Sequence, residues 1–549
     1  MLSYRKLAMR VLGRPLHTGG GIDSPRPASQ RAAAFILTAA MLTTLAAPAF
    51  AGTWYIEDGN ITISAGTEAG TNKVEQVGKD TVNNDKDTVI TNREDKASSH
   101  TVTIETNDKN DKVEVTLKDV NIDTSSRNNA AVSVTGSGNT TIKLDGDNAL
   151  KSDIYSSGIS SSGSLTISGG ENDSLTAQGG SGADGIYSSG SLTISGGTVT
   201  ANGGSGGGGD GGDGIWSSGG VTISGGSTVT ANGGDGKDDY GGDGIRSDSG
   251  DVTISGGSTV TANGGNGGNV SGDGIRSDSG DVTISGGTVK AAGGDSKDGY
   301  GGDGIRSGGV TISGGTVNAA GGNGGKVGGY GICSFARVAI SGGTVNAAGG
   351  NGKNSNGGSD GIISNDIDLS GSLELTAKAG RPNGKAISWA GHELDLDTIK
   401  DKLGPGAKVT TTDADGKVNQ VSVPRPVEPE EPVIPGESSS SSDGGSAAPS
   451  APASPLPGLT VTDKDGQRIS YTSTQSGNTL TVCVGRFTAS FRISLAALRQ
   501  LRAEGIETIT FQTILCSTTL SVDELLAMGG EDAEAVLTHR LTDSSLTVG

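Results

Sequence analysis

The chain is poor in histidine and in aromatic residues. It has 4 His, 6 Phe, 8 Tyr and 3 Trp among 549 residues. The histidines are scattered along the sequence, at His17, His100, His392 and His539. None of them has the spacing of a metal-binding set, which leaves zinc chemistry and histidine acid–base catalysis without candidates. Because Phe and Trp are so few, any large core must consist of small aliphatic side chains added in regular increments.

Cysteine is also scarce, and 3 residues are too few for a disulfide scaffold. Cys483 and Cys516 lie in one C-terminal region and could pair after export, whereas Cys333 has no evident partner. Three reduced thiols are an equally open alternative. We therefore expect the fold not to depend on disulfides.

Only one long hydrophobic run is present, AAAFILTAAMLTTLAAPAFA at residues 32–51. Basic residues precede this run, and it ends in AFA, an A-x-A cleavage pattern. We predict a signal peptide over residues 1–51 and a secreted or cell-surface mature protein that begins near Gly52. A retained membrane anchor is the alternative, although the run is short and is interrupted by proline. No later segment is apolar enough to span a bilayer.

Positive charge is in deficit. The chain has 41 Lys and Arg against 61 Asp and Glu, which gives a formal net charge of -20. Nucleic acid and anionic membrane surfaces would be repelled by such a protein and are disfavoured as partners. The charge fits neutral ligands, cations, or solubility alone.

Glycine, by contrast, is abundant at 97 residues, and much of it lies in a repeat. Phrases such as GGDGIWSSGGVTISGGSTVTANGG recur from Tyr155 to about Gly380. An isoleucine follows glycine in each copy, at Ile159, Ile186, Ile215, Ile245, Ile275, Ile305, Ile332 and Ile362. The intervals of 27 to 30 residues predict one structural unit each. A disordered glycine-rich chain is the alternative, but disorder would not keep the pattern in phase.

Each unit contains three short strand-like pieces, G-I-x-S, V-T-I-S and T-V-x-A, separated by glycine-rich punctuation. The apolar residues in each piece are two apart, which is the strand period. We predict an all-β repeat, a three-sided parallel β-helix with about 27–30 residues per coil. Stacking should then align Ile with Ile, Val with Val and Ala with Ala in a narrow aliphatic core.

The rest of the chain predicts three further regions. Residues 52–150 read as irregular first coils that cap the β-helix, whose repeat part we assign to residues 151–421. Residues 422–458 are rich in Pro and Ser and predict a linker. Residues 459–549 predict a small α+β domain, in which SLAALRQLRAEG and SVDELLAMG form helices, the second with Ser521 as its N-cap.

The opening WYIEDGNITIS, the segment KLDGDNAL and the chain of LTISGGTVTA coils together resemble the carbohydrate-binding, pectate-lyase-like β-helix proteins of anaerobic Gram-positive bacteria. The resemblance covers roughly residues 52–421. It implies a right-handed parallel β-helix that binds plant-type or acidic polysaccharide, often with calcium. This sequence departs from the pattern in its longer Gly/Asp-rich corners and its added C-terminal domain.

The residue after each stacked isoleucine should face solvent, because the isoleucine faces the core. These residues are Tyr187, Trp216, Arg246, Arg276, Arg306, Cys333 and Ile363. Aromatic rings followed by guanidinium groups could stack sugar rings and pair carboxylates, so we predict that Tyr187 to Arg306 form a ligand-binding row. We also predict that Tyr240 and Tyr300, in the corner loops, bind the ligand. A solubilising face that happens to repeat is an equally good interpretation.

Aspartates recur two residues before the same isoleucines, at Asp184, Asp213, Asp243, Asp273, Asp303 and Asp360. Stacked carboxylates repel one another unless each caps a backbone amide or a cation bridges them, and the cap is the commoner arrangement. Corner loops add further hard oxygen ligands. We predict structural Ca²⁺ as the cofactor, with ligands among Asp213, Asp235, Asp238, Asp243, Asp273, Asp295, Asp298 and Asp303.

The sequence is compatible with three functions. The first is a non-catalytic, secreted or surface-associated β-helix that binds polysaccharide. The second is a structural surface or adhesin rod that binds no sugar and displays the C-terminal domain, whose own partner the sequence does not indicate. The third is a polysaccharide lyase, with Asp243, Asp273 and Arg276 as its candidate catalytic site. The same residues recur in neighbouring coils, however, and such repetition is more typical of a surface pattern than of an active site.

Overall fold

The structure is a computed structural model that describes residues 52–94, 96–355, 357–424, 458–463, 467–469, 471–476, 478–484, 486, 488–513, 517–528, 533–539 and 544–548. These residues belong to two compact units, one ending at residue 424 and the other beginning at residue 458. The predicted signal peptide and residues 425–457 of the predicted linker lie outside the described residues. Among the described residues, no helix is both long and apolar enough to cross a bilayer.

The first unit is a parallel β-solenoid of about 13 turns, which confirms the predicted fold class. Its strands form three ladders, called here face 1, face 2 and face 3 in the order in which a coil visits them. Face 1 contains Ile61–Ala65, Val102–Thr106, Val132–Gly136, Ile159–Ser161, Ile186–Ser188, Ile215–Ser217, Ile245–Ser247, Ile275–Ser277, Ile305–Ser307, the first parts of Ile332–Ile340 and Ile362–Leu369, and Ile387–Trp389.

The other two ladders follow the same coils. Face 2 contains Thr53–Tyr55, Val89–Thr91, Lys112–Lys118, Asn139–Asp145, Ser164–Ser168, Leu192–Ser195, Val221–Ser224, Val252–Ile254, Val282–Ile284, Val310–Ile312 and the last parts of Ile332–Ile340 and Ile362–Leu369. Face 3 contains Asn121–Asp123, Asp147–Lys151, Ser174–Ser181, Thr198–Gly204, Thr228–Asn232, Thr259–Asn263, Thr288–Ala292, Thr316–Ala320, Thr344–Ala348, Glu374–Lys378, Lys408–Thr412 and Val418–Ser422.

The core is the stack of aliphatic side chains that the period of two predicts. On face 2 the stacked isoleucines are Ile194, Ile223, Ile254, Ile284, Ile312 and Ile340, all fully buried. On face 3 the stacked valines are Val199, Val229, Val260, Val289, Val317 and Val345. Alanines two residues after these valines stack in the same way. Because each coil offers the same side chains to its neighbours, the cylinder needs no large aromatic residue.

Glycine sets the spacing of the coils at the corner before face 1. A Cβ atom at Gly274 would lie 2.6 Å from the carbonyl oxygen of Gly304, in the next coil, and 2.6 Å from the amide nitrogen of Ala292. No side chain fits at that distance. At the corner between faces 2 and 3 the requirement is conformational, because Gly287 has a φ of 81°, which L side chains rarely adopt.

The two ends of the β-helix differ from its middle. Near the start, Asn72–Gln76 and Val82–Asp85 add antiparallel strands that the sequence did not predict. At the other end, Val418–Ser422 runs antiparallel to Lys408–Thr412 and closes face 3. Short elements complete the unit, namely the 3-10 helices Ile56–Asp58 and Leu396–Lys402 and the strand His392–Glu393. Antiparallel strands cover edges that would otherwise pair with other chains.

The second unit is the small α+β domain that was predicted. One sheet contains Leu459–Thr462, Ala489–Ser494, Glu534–His539 and Ser544–Val548, and the other contains Thr472–Ser476, Thr479–Cys483, Thr508–Gln512 and Ser517–Ser521. Its helices are Leu495–Ala503 and Val522–Met528. Ser521 caps the second helix, as expected, by accepting a hydrogen bond from the Glu524 amide at 3.4 Å. The predicted partner of Cys483, Cys516, lies outside the described residues, so their pairing stays a prediction.

Candidate functional site

The residues that follow the face 1 isoleucines form one continuous row. Strand register places Tyr187, Trp216, Arg246, Arg276, Arg306, Cys333 and Ile363 side by side on successive coils. Neighbouring positions are about 4.8 Å apart, the spacing of paired strands. The five members from Tyr187 to Arg306 are all partly exposed, and we call them the outward row.

The aromatic end of the outward row is held by contacts within the row. The rings of Tyr187 and Trp216 meet edge to face, with centroids 5.1 Å apart. The guanidinium of Arg246 lies 5.4 Å from the centre of the Trp216 ring. Ser189 donates a hydrogen bond of 2.9 Å to the Tyr187 hydroxyl oxygen. These contacts fix the orientation of both rings before any ligand binds.

The arginine end of the outward row is paired with carboxylates. Arg246 donates to Asp248 and to Asp278, each at 3.0 Å. Arg276 also donates to Asp278, at 2.6 Å. Burial works against the charged form of Arg276, but attraction to Asp243 and Asp273 outweighs it, so the pKa of Arg276 is raised. The guanidinium charges are therefore largely compensated within the protein.

The expectation that Cys333 faces solvent was wrong. Its side chain is buried, with 7% exposed, although it occupies the next position after Arg306 in strand register. A cysteine side chain is shorter than those of Arg306 and Ile363 on either side, so it lies below their tips. Burial raises the pKa of the Cys333 thiol to about 12, which leaves it protonated and unreactive.

The aspartates two residues before the face 1 isoleucines form a buried ladder. The Oδ1 atom of each accepts a hydrogen bond from the backbone amide of the aspartate in the next coil, over distances of 2.5 to 2.8 Å from Asp184 to Asp303. The predicted corner cap is thus the arrangement that the structure contains. Each carboxylate secures the stacking of one coil on the next.

Burial makes ionisation of this ladder unfavourable. Burial and then repulsion from the following aspartate raise the pKa of Asp243 and of Asp273 to about 7. Burial likewise raises the pKa of Asp303 to about 6 and that of Asp213 well above its usual range. Arginines partly relieve this cost, since Arg306 lies 3.6 Å from Asp303 and Arg276 lies 3.9 Å from Asp273.

The corner loops between faces 3 and 1 carry a second ladder, which is exposed. Its members are Asp235, Asn266, Asp295, Asn323 and Asn351, and the Oδ1 atom of each accepts the amide of the next-coil residue at 2.6 to 3.0 Å. The glycine-rich loops are therefore stacked in register, as the rest of the coil is. Sequence reasoning missed this ladder, whose signal is an Asp or Asn recurring at one coil spacing.

A polar groove of about 1070 Å³ runs along these loops. Asp235, Asp238, Asp295 and Asp298, four of the predicted metal ligands, line it, and so do Lys237 and Lys297. Asp235 and Asp295 are separated by the coil that carries Asn266, which is roughly 10 Å between them. One ion cannot bridge that distance.

The two groups of predicted metal ligands lie in different surroundings. Asp213, Asp243, Asp273 and Asp303 are buried, whereas the corner-loop aspartates are exposed. Over the residues that the structure describes, no group of three or more His, Cys, Asp or Glu side chains is arranged to hold a metal ion.

Tyr240 and Tyr300 stand apart from the outward row. They lie on the corner loops, two coils apart, with Val270 between them in register. Both are about half exposed, and Lys326 lies 5.7 Å from the Tyr300 ring.

A second groove, of about 430 Å³, begins where the outward row begins. Its floor includes Ser133 and Ser160, which precede Tyr187 in the same register. Tyr155 forms a side wall and is 86% exposed. Sequence reasoning missed this groove because Tyr155 precedes the Gly-Ile pair on which the copies were aligned; its one signal was an aromatic residue at a polar corner.

Comparison with known proteins agrees with the architecture. Residues 221–245, 282–305 and 310–332 match a family model described as a beta helix repeat. Each matched segment runs from a strand of face 2 to the face 1 strand of the following coil. The chain is a parallel β-helix protein. No curated protein and no solved structure matches this β-helix protein.

Proposed function

We propose that this β-helix protein is a secreted or cell-surface, non-catalytic polysaccharide-binding protein, and that the outward row is its binding face. The observation that carries the proposal is the row itself. Tyr187 and Trp216 present fixed aromatic surfaces on adjacent coils, and three arginines continue the same line. Sugar rings bind to aromatic faces through their apolar C–H surfaces, and such a row would follow an extended glycan.

The test is a glycan-array scan of the whole protein and of a Trp216→Ala/Arg246→Ala double variant. We expect the double variant to lose binding, because both the stacking ring and the cation over it are removed. The matched control is Thr222→Ala/Thr253→Ala, which alters the same two coils on face 2, where these threonines are partly exposed. If the face 1 variant keeps its fold, by circular dichroism and melting temperature, and binds like the wild type, the proposal is wrong.

The non-catalytic part of the proposal rests on the state of the residues that a lyase would need. The basic group of a lyase must lose its proton, yet the pKa of Arg276 is raised and its side chain is paired with Asp278. Asp243 and Asp273 are buried and cap backbone amides. Release of unsaturated product from polygalacturonate by the purified protein would contradict this assignment.

A structural rod without sugar binding is the second candidate. The observation that favours it is that the arginines of the outward row are already paired with Asp248 and Asp278, so they have a stabilising role of their own. A blank array with the wild-type protein, together with marked destabilisation by Arg276→Ala, would favour the rod.

We also propose calcium as a structural ion in the corner-loop groove, with separate ions at the loop of Asp235 and Asp238 and at the loop of Asp295 and Asp298, because one ion cannot bridge the two loops. Asp238 and Asp298 contribute exposed carboxylates there, and Asp235 and Asp295 each retain a second oxygen beyond the one that accepts the next-coil amide. Hard oxygen ligands of this kind suit Ca²⁺. The buried aspartates are poorer candidates, because their Oδ1 atoms are used and arginines lie beside them.

A further inference from the structure

The groove beside Tyr155 arises from a change in side-chain size along one row. Ser133 and Ser160 stand where the following coils carry Tyr187 and Trp216. Two coils with small side chains therefore lie next to two coils with large rings. The step between them leaves a depression whose end wall is the Tyr187 ring.

Tyr155 is held as a side wall by an unusual backbone conformation. Its φ is 62°, in the left-handed region that residues other than glycine rarely adopt. Its amide donates to the carbonyl oxygen of Ser181 at 3.2 Å, which fixes this corner to the next coil. The ring passes over Gly182, where an added Cβ would lie 3.9 Å from it. A large exposed aromatic side chain on a strained backbone is typical of a functional position.

The lining of this groove is polar and contains one ionisable carboxyl group. Among the described residues that line it are Asn128, Asn129, several serines and Asp184, and none is Lys or Arg. An acidic sugar would meet a carboxyl group and no cation among these lining residues, whereas neutral hydroxyls can pair with amide and hydroxyl groups.

We propose that the groove between Tyr155 and Tyr187 binds a short stretch of a neutral glycan, with a pyranose ring against the Tyr155 face. The groove volume, about 430 Å³, lies within the usual range for small-ligand sites, roughly 300–1,000 Å³. This inference rests on the proposed polysaccharide binding and narrows its ligand to neutral sugars. Beyond the groove, Trp216 and the arginines of the outward row extend the proposed binding site.

The test is calorimetric titration of the whole protein with cellohexaose, xylohexaose, mannohexaose and hexagalacturonate at pH 7.5. We expect a neutral hexasaccharide to bind more tightly than hexagalacturonate. Tyr155→Asn, which suits the left-handed backbone, should weaken binding about tenfold, while Tyr155→Phe, which keeps the ring, should stay within about twofold. The matched control is Ile154→Ala, an exposed apolar residue next to Tyr155 that does not line the groove, and it should bind like the wild type.

The outcomes separate this inference from the proposed function. Unchanged affinity in Tyr155→Asn, or tighter binding of hexagalacturonate than of every neutral sugar, overturns the neutral groove. If Trp216→Ala then weakens binding while Tyr155→Asn does not, polysaccharide binding stands and only the groove is wrong. If the wild-type protein binds none of the four sugars and the array is blank, both proposals fail.

Discussion

Two ladders of Asp and Asn side chains run along the same coils, and they differ mainly in burial. Both use an Oδ1 atom to accept the backbone amide of the next coil. The ladder through Asp273 is buried, consists of aspartate from Asp184 to Asp303, and has arginines beside it. The ladder through Asp295 is exposed and contains both Asp and Asn. The hydrogen bond alone therefore does not require a carboxylate. In the buried ladder the second oxygens of Asp243, Asp273 and Asp303 also lie 3.6 to 3.9 Å from the outward arginines.

Breaking the stacking on which both ladders depend should have the largest effect. Gly274→Val forces a side chain into a position where a Cβ already lies 2.6 Å from backbone of neighbouring strands. We expect a loss of about 3 kcal/mol or more in the free energy of unfolding, because neither backbone segment can move without separating coils. Chemical denaturation of the wild type and the variant measures this difference in the free energy of unfolding. Gly286→Ala is the control, since nothing lies within 4 Å of its Cβ position, and it should be nearly neutral; equal effects of the two variants would contradict this account of the corner.

Removing one carboxylate from each ladder compares them directly. Asp273→Ala leaves the amide of Asp303 buried without its acceptor, which should cost about 2 kcal/mol in the free energy of unfolding. Asp295→Ala removes the same kind of acceptor from Asn323, but water can replace it there, so the cost should stay below about 1 kcal/mol. Denaturant titration of both variants checks the difference. A larger cost at Asp295 would show that burial is not what distinguishes the ladders.

The pH dependence of stability should report the buried ladder. A carboxyl group in the unfolded chain has a pKa near 3.8, whereas that of Asp273 in the folded chain is raised to about 7. The folded state then holds protons that the unfolded state releases, so stability falls as the pH rises from about 4 through about 7. We expect the melting temperature to be several degrees higher at pH 5 than at pH 8.

A conservative substitution sharpens this prediction. Asp273→Asn keeps an Oδ1 acceptor, as Asn266 does in the exposed ladder, and removes the ionisation. The difference in melting temperature between pH 5 and pH 8 should shrink in this variant. Asp295→Asn, the exposed counterpart, should leave the difference as it is in the wild type. A pH profile unaffected by Asp273→Asn would mean that other groups set it.

Calcium should have the smallest effect, because the groove aspartates share their surroundings with Lys237 and Lys297. A melt of the whole protein with calcium and with chelator should show a modest increase in melting temperature with calcium. Asp238→Asn combined with Asp298→Asn should abolish this increase, whereas Asp243→Asn in the buried ladder should not. Equal melting temperatures with calcium and with chelator would show that calcium does not stabilise the protein.

The interior of the β-helix could be predicted residue by residue. The alternation in V-T-I and T-V-T-A indicates which side chains point inward, and the constant interval between copies indicates which of them stack. Ile254 on Ile284 and Val260 on Val289 followed directly from those two facts. The outward row followed as well, since strand geometry turns the residue after each inward isoleucine to the other side.

The surface chemistry could not be predicted in the same way. Pairing of Arg246 with Asp248 and Asp278 depends on side-chain directions, and it changes the row from a cationic face to a largely neutral one. The groove at Tyr155 depends on which coil has small side chains beside one with large rings. Burial of Cys333 likewise depends on the length of its neighbours.

The sequence by itself determined the repeat, the three strands per coil and the aliphatic core, because a period of two repeated in phase permits few other ways to bury those side chains. Only the tertiary structure decided which carboxylates are buried, which charges cancel, and where a cavity opens. The reason is physical: inward packing repeats from coil to coil, whereas charge pairing and groove shape arise between unlike residues that stacking brings together.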